Sequence, residues 1–95
     1  MKERRVRYTE HALNRMDQWH VDAVIIPSLI NEGKVIEEYP HDRPYPSRLV
    51  LWWDGNEAVH AVVADVPTTD ETVVITVYRP DPRRWENDYR TRRQP

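Results

Sequence analysis

The sequence lacks several features that would narrow its function. It contains no cysteine, which excludes disulfide bonds and thiolate metal sites and leaves the redox compartment open. Its two glycines are too few for a glycine-rich loop that cradles a phosphate. No apolar run approaches the length of a membrane span, and the charged start MKERRVRYTE does not resemble a signal peptide. These absences predict a cytoplasmic protein that makes no membrane contact.

The length of 95 residues predicts one domain over residues 1–95 with one modest core, and with flexible ends at 1–6 and 93–95. The net charge of −2 conceals an uneven distribution. Both ends are basic, and the stretch between them holds most of the acidic residues. If the ends meet in the fold, they form a basic surface that can hold phosphates or an acidic partner. Otherwise they are two solvated ends.

The stretch YTEHALNRM predicts the start of a helix at Thr9, a good N-cap residue. Four apolar residues follow at helical spacing and predict the face that packs on the core: Ala12, Leu13, Met16 and Trp19. His11 and Arg15 lie one turn apart on the opposite side. Asp22 can cap a second helix that ends at Gly33, with Pro27 expected to kink or shorten it.

Four strand patterns follow in KVIEEY, SRLVLWWD, EAVHAVVAD and TVVITVYR, with Gly55-Asn56 as a hairpin turn between the second and third. Asp81 and Pro82 then predict the first turn of a short terminal helix. We therefore expect an α+β fold in which two N-terminal helices pack on a four-stranded antiparallel sheet with a short C-terminal helix.

Alternation on the last strand predicts Val73, Ile75 and Val77 on the helix side and Tyr78 on the other face. His60 alternates with valines and alanine on the preceding strand, which predicts that it shares the open face with Tyr78. Arg48 begins the strand before, and its register is open.

A histidine, a tyrosine and an arginine on an uncovered face suit cleavage of an RNA phosphodiester by its own 2′-hydroxyl. That reaction needs a base, an acid and cations near the phosphate, and no cofactor is required. Imidazole suits the proton transfers because its ordinary pKa lies near neutrality. The guanidinium fork of arginine suits the phosphate. The four histidines lack the spacing of metal ligands.

Each candidate also has a structural interpretation. His11 and Arg15 can form a solvated helix face. His60 can be a buried histidine with satisfied hydrogen bonds, and Tyr78 can cover the edge of the core. Trp19 is assigned to the core, while alternation requires either Trp52 or Trp53 to face outward.

Four stretches together resemble the bacterial family called domain of unknown function 4258: YTEHALNRM, VIEEYPHDRPYPSRLVLW, AVHAVVAD and ITVYRPDPRRWENDYRTRR. The resemblance runs from about residue 8 to residue 93. This family is similar to the RelE/ParE toxins of toxin–antitoxin pairs, in which two helices lie on an antiparallel sheet. The matching polar residues are His11, Arg15, His60, Tyr78 and Arg79, with Trp85 implied to be structural. The chain departs from the pattern at Trp19-His20, where such proteins carry Arg-Gly.

The resemblance implies a toxin-like mRNA endonuclease, acting free or on the ribosome and neutralised by an antitoxin protein. The alternative is a non-catalytic module of the same fold that binds a partner as an inhibitor or regulator. The candidate catalytic residues are His11, His60 and Tyr78. The candidate substrate-binding residues are Arg15, Arg48, Arg79 and Arg83.

Overall fold

A computed structural model describes residues 4–94 of the chain. The expected flexibility at 1–6 and 93–95 falls partly on residues 1–3 and 95, which lie outside the described residues. The elements in chain order are β1 (Arg5–Tyr8), α1 (Glu10–Trp19), a 3-10 helix η1 (Ala23–Ile25), α2 (Ile26–Glu32), β2 (Lys34–Tyr39), β3 (Ser47–Asp54), β4 (Glu57–Val66) and β5 (Glu71–Tyr78).

Within residues 4–94 the strands form one five-stranded sheet with the order β1-β5-β4-β3-β2. Strands β2 to β5 are antiparallel neighbours, as the sequence predicts, and the β3–β4 hairpin turns at Gly55. The predicted four-stranded antiparallel sheet is nevertheless wrong, because β1 adds a fifth strand that pairs in parallel with β5. The pairing joins Arg5 to Glu71, far apart in the chain, so no local pattern reveals it.

The predicted C-terminal helix is also wrong. Residues 82–84 form a turn, and Trp85 makes an isolated antiparallel bridge with Arg92. The Asp81 carboxylate does accept from a backbone N–H, that of Arg83, but the chain closes a turn there instead of continuing as a helix. We call residues 79–94 the C-terminal segment.

Helix α1 begins where the sequence predicts, because the Thr9 hydroxyl oxygen accepts from the N–H of Ala12 at 2.9 Å. Its core contacts are narrower than expected. Ala12 and Met16 are buried, whereas Leu13 is 52% exposed and Trp19 is 38% exposed. The assignment of Trp19 to the core is therefore wrong, since only Ala12 and Met16 of the four predicted residues are buried.

The second helical stretch begins at Asp22, which caps η1 through the N–H of Val24. The α-helix proper starts at Ile26, so that Pro27 falls in its first turn, where its missing N–H costs no hydrogen bond. The expected disturbance by Pro27 thus appears as a 3-10 helix in front of a short α2.

The main core lies between the helices and one face of the sheet. It includes Ala12, Met16, Ile26, Leu29, Val50, Val59, Ala61, Val63, Val74 and Val77. A register shift in the β4–β5 pairing at Val62/Val63 changes which β5 residues face the helices. Strict alternation from Val77 predicts that Val73 belongs to this core. Because of the register shift, Val74 belongs to it instead.

The C-terminal segment covers part of the opposite face. Trp85 is buried and packs against His60, which is itself fully buried. Tyr89 contacts Trp53 with an edge-to-face ring geometry. The expectation that this sheet face is open is therefore wrong around His60, because sixteen residues without regular secondary structure fold back over it.

Within residues 4–94, each basic end places an arginine beside a carboxylate of the acidic middle. Near β1, Arg4 lies 3.7 Å from Asp65 and donates to the hydroxyl of Thr72. In the C-terminal segment, Arg92 pairs with Glu37 of β2. None of the described helices is long and apolar enough to cross a membrane.

Candidate functional site: a cationic groove at the free edge of β5

A groove of about 430 Å³ lies where the edge of β5 lacks a neighbouring strand. The parallel strand β1 pairs only with residues 71–74, so the remaining residues of β5 face α1 on that side. The other wall is the C-terminal segment. The lining residues are His11, Arg15, Trp19, Thr76, Tyr78, Arg79, Asp81, Arg84, Trp85 and Arg92.

Thr9 fixes the start of α1 against this edge. Its backbone N–H donates to the carbonyl of Val74 at 3.1 Å, and its hydroxyl donates to the carbonyl of Ile75 at 2.9 Å. The same hydroxyl oxygen caps the helix, so one side chain both starts α1 and ties it to β5. This places the imidazole of His11 with its Nε2 3.1 Å from Thr76 Oγ1. His11 is otherwise exposed to the groove.

Two guanidinium groups in the groove make no ion pair among residues 4–94. Arg15 donates to the side chain of its helix neighbour Gln18 at 2.8 Å. Arg84 is exposed, and its hydrogen bonds in the described chain are made by its backbone. The pKa of the nearby Asp81 is lowered chiefly by its hydrogen bonds with Arg83, and the charge of Arg84 acts in the same direction. A guanidinium without a carboxylate partner can donate two parallel hydrogen bonds to a phosphate without first breaking an ion pair. Arg15 and Arg84 are therefore the cations most available to a ligand.

Arg79 supports the groove by holding the end of α1. Its Nε and Nη2 donate to the carbonyls of Trp19 and His20, at 3.1 and 3.2 Å. Carbonyls at a helix C-terminus lack helical partners, and a cation there is favoured by the helix dipole. Its Nη1 lies 3.2 Å from a carboxylate oxygen of Glu57, although it is buried and makes no well-aligned hydrogen bond within the described chain.

Tyr78 connects the groove to the buried His60. The Nε2 atom of His60 lies 2.7 Å from the carbonyl of Tyr89, which can only accept, so Nε2 carries the proton. Burial lowers the pKa of His60, with the nearby Arg92 acting in the same direction and the hydrogen bond to Tyr89 opposing them. The neutral ring leaves Nδ1 as an acceptor for the Tyr78 hydroxyl at 3.2 Å. Burial also raises the pKa of Tyr78, which keeps the phenol protonated at neutral pH.

An ion pair closes the layer over His60. Arg92 donates to both carboxylate oxygens of Glu37, at 2.8 and 3.1 Å, and its guanidinium lies 4.5 Å from the centre of the Trp85 ring. The hydrogen bond from Arg92 lowers the pKa of Glu37. Burial, aided by the hydrogen bond to Glu37, raises the pKa of Tyr39 to about 12. Although Arg92 lines the groove, its guanidinium already binds Glu37 and covers Trp85.

The structure brings four predicted site residues to the groove: His11, Arg15, Tyr78 and Arg79. His60 lies behind them, in contact with Tyr78 and fully buried. Arg48 lies apart from the groove and pairs with Asp65 at 3.2 Å. Arg83 pairs with Asp81 at 3.1 Å and is not among the groove-lining residues.

The sequence interpretation missed the contributions of Trp19, Arg84 and Arg92 to this site. Trp19 has the same helical spacing as His11 and Arg15, four residues beyond Arg15, which is the signal that could have placed it on their face. Arg84 and Arg92 reach the groove because the C-terminal segment folds irregularly. Their spacing in the sequence does not predict that they lie at the same site. Among the described residues, no three histidine or carboxylate side chains cluster closely enough to hold a metal ion.

Comparison with known proteins identifies the family but no characterised relative. No curated protein and no solved structure is similar enough to count as a match. The model of one protein family, described as Domain of unknown function (DUF4258), matches residues 8–79. This region includes only the last residue of β1, but all of both α-helices and of the strands β2 to β5. It also includes His11, Arg15 and Tyr78. Since the match spans most of the chain, the protein belongs to the DUF4258 family.

Proposed function

We propose that the groove cleaves single RNA strands by attack of a 2′-hydroxyl on the adjacent phosphate. The observation that carries the proposal is the grouping of an exposed histidine, a protonated tyrosine and two unpaired guanidinium groups, those of Arg15 and Arg84, around one groove. These groups match the base, the acid and the phosphate cations that the reaction needs.

His11 serves as the base in this mechanism. Its imidazole takes the proton of the 2′-hydroxyl while a bond forms between O2′ and phosphorus. Arg15 and Arg84 hold the non-bridging oxygens, on which negative charge grows in the transition state. The bond from phosphorus to O5′ then breaks and leaves a 2′,3′-cyclic phosphate on one product.

Tyr78 supplies the proton that the departing O5′ requires, which gives the second product a 5′-hydroxyl end. Solvent then returns a proton to the Tyr78 phenolate and removes one from His11, so the enzyme is regenerated. His60 touches no substrate atom in this mechanism. Its Nδ1 accepts the hydrogen bond of the Tyr78 hydroxyl and so holds the phenol in place until that hydroxyl turns toward O5′, which makes His60 a positioning residue.

The biological role that we propose is that of an mRNA endonuclease toxin in the cytoplasm, held inactive by an antitoxin protein; this role rests on the resemblance of the sequence motifs to RelE/ParE toxins. The ion-paired state of most other arginines leaves few cations for RNA. Binding to RNA therefore depends on few phosphate contacts and should show a shallow salt dependence.

The test uses a chimeric oligonucleotide with one ribonucleotide in a DNA strand, incubated with purified protein and EDTA. We expect cleavage at the ribonucleotide, a cyclic phosphate product by mass spectrometry, and no cleavage of the all-DNA strand. His11→Ala should lower the rate about 10²- to 10⁴-fold. Leu13→Ala, an exposed change on the same helix, should leave the rate unchanged.

The same test is repeated with ribosome-bound mRNA as the second substrate, because toxins of this kind can act on the ribosome and free RNA lacks that context. Intact RNA in both settings, with wild-type protein that is folded by circular dichroism, would refute the nuclease proposal. Cleavage that His11→Ala leaves unchanged would refute the assigned base.

A second candidate function is binding of a protein partner without catalysis. Trp53 is 43% exposed and lines a separate cavity of about 490 Å³ together with Trp52 and Leu51. Exposed tryptophans beside a cavity are typical of protein contacts. In that case growth arrest on expression should be lost with Trp53→Ala and kept with His11→Ala, the reverse of the pattern expected for the nuclease.

A further inference from the structure

Helix α1 presents three side chains to the groove on successive turns. His11, Arg15 and Trp19 are four residues apart, and all three line the cavity. Each step of four residues advances about 6 Å along the helix axis. A proton acceptor, a phosphate-binding cation and an indole ring thus follow one another in a row, at intervals similar to those between adjacent nucleotides of an extended strand.

The indole of Trp19 is the available aromatic surface in this row. It is 38% exposed although tryptophan is large and apolar. The backbone that carries it is held by Arg79, whose Nε donates to the Trp19 carbonyl at 3.1 Å. Trp85, on the opposite wall, is 3% exposed because Arg92 covers its ring and His60 packs against it at 4.6 Å.

We propose that Trp19 stacks on the base of the nucleotide next to the phosphate held by Arg15. This inference rests on the proposed function and adds a substrate requirement: the nucleotide beside the cleaved bond must be unpaired. A base inside a duplex is stacked on both faces and offers no free face to the indole, whereas an unpaired base can turn out of the strand and stack on an aromatic side chain.

Stacking on an aromatic side chain accounts for about a 5- to 150-fold change in affinity per base. Every nucleobase has an aromatic face, so the subsite tolerates any base. The subsite therefore selects an unpaired nucleotide that is flanked by a phosphate.

Binding is measured with a hexanucleotide that carries 2′-fluoro groups, which removes the attacking hydroxyl and prevents cleavage. We expect Trp19→Ala to weaken binding about 5- to 150-fold. Trp19→Tyr should restore most of the affinity because it retains an aromatic face. Leu13→Ala is the matched control, since Leu13 is an exposed apolar residue of the same helix, 52% exposed, and does not line the groove.

Direct stacking on Trp19 is distinguished from an indirect effect of the substitution on the groove by a series of hexanucleotides, each with one abasic position. Wild-type protein should lose affinity at one position, and Trp19→Ala should show no further loss there. Unchanged affinity of Trp19→Ala, additive losses at every position, or no binding by wild-type protein would overturn the subsite. The ligand cannot be cleaved, so this experiment measures binding independently of catalysis. If binding depends on Trp19 but the protein never cuts RNA, the nuclease proposal is refuted and the stacking subsite is not.

Discussion

The two histidines of the predicted site lie close to the end of β5 but in opposite surroundings. His60 is fully buried, and protein atoms satisfy both of its ring nitrogens. His11 is exposed and has one ring contact among the described residues, with Thr76. The C-terminal segment makes this difference, because it closes over one histidine and forms a wall of the groove beside the other. Residue type alone therefore does not identify the histidine that can meet a ligand.

The arginines repeat the contrast. Arg92 holds Glu37 and covers Trp85, whereas Arg84, in the same segment, leaves its guanidinium without an ion pair among residues 4–94. The closed layer over His60 and the open groove around His11 should therefore respond differently to substitution. Loss of stability is expected in the closed layer, and loss of binding or activity in the groove.

The largest effect on stability is expected from His60→Ala. The substitution leaves a cavity against Trp85 and removes the hydrogen-bond partners of the Tyr78 hydroxyl and the Tyr89 carbonyl. We expect the free energy of unfolding in urea, followed by circular dichroism, to fall by about 3 kcal/mol. His11→Ala should change it by less than about 0.5 kcal/mol. Equal losses in the two variants would contradict the contrast between the two regions.

The pH dependence of stability should also distinguish the histidines. The pKa of His60 is lower in the folded protein than its ordinary value of 6.5. As pH falls through that value, the unfolded chain takes up the proton first, so the free energy of unfolding decreases and then levels off below the folded pKa. Urea unfolding at pH 7.5 and pH 5.5 should show this decrease for wild-type protein and for His11→Gln. A slope that persists in His60→Gln would assign it to another group.

A smaller effect is expected at the ion pair that closes the layer. The two carboxylate hydrogen bonds of Arg92 have good geometry, but its side chain is 57% exposed and solvent weakens the interaction. A double-mutant cycle of Arg92→Gln and Glu37→Gln should give a coupling of about 1 kcal/mol in urea unfolding. Arg84→Gln should leave stability within about 0.5 kcal/mol of wild type. A coupling near zero would show that the pair is merely a surface contact.

The smallest effect is expected at the rim of the groove, and it has the opposite sign. His20 ends α1 in the left-handed conformation, with φ at 55°, where glycine has no steric penalty. His20→Gly should raise the free energy of unfolding by about 0.5 kcal/mol, visible as a higher melting temperature. Its activity should equal that of wild type because His20 does not line the groove. A lower melting temperature would show that the His20 side chain stabilises this corner.

Local patterns were sufficient for the central part of the fold. The Thr9 cap, the η1–α2 stretch after Asp22 and strands β2 to β5 all depend on residues that are close in sequence. The candidate site was predicted in part for the same reason, since the helical spacing of His11 and Arg15 puts both on one wall of the groove.

The remaining features depend on contacts between distant parts of the chain. The strand β1 is four residues long, and its partner is the last strand of the sheet. The C-terminal segment has no periodic pattern, and it is positioned by single contacts such as the one between Trp85 and His60. These contacts bury His60 and bring Arg84 to the groove, so the local sequence predicted neither feature.

The parallel pairing of β1 with β5 has a consequence for synthesis on the ribosome. Helix α1 emerges early, but the strand on which Thr9 anchors it is made more than sixty residues later. Contacts of such long sequence separation slow folding, because a large loop must close before they form. A nascent chain that stops before Glu71 lacks one wall of the groove and the anchor of the other. The groove is therefore assembled only after the C-terminal segment has been translated.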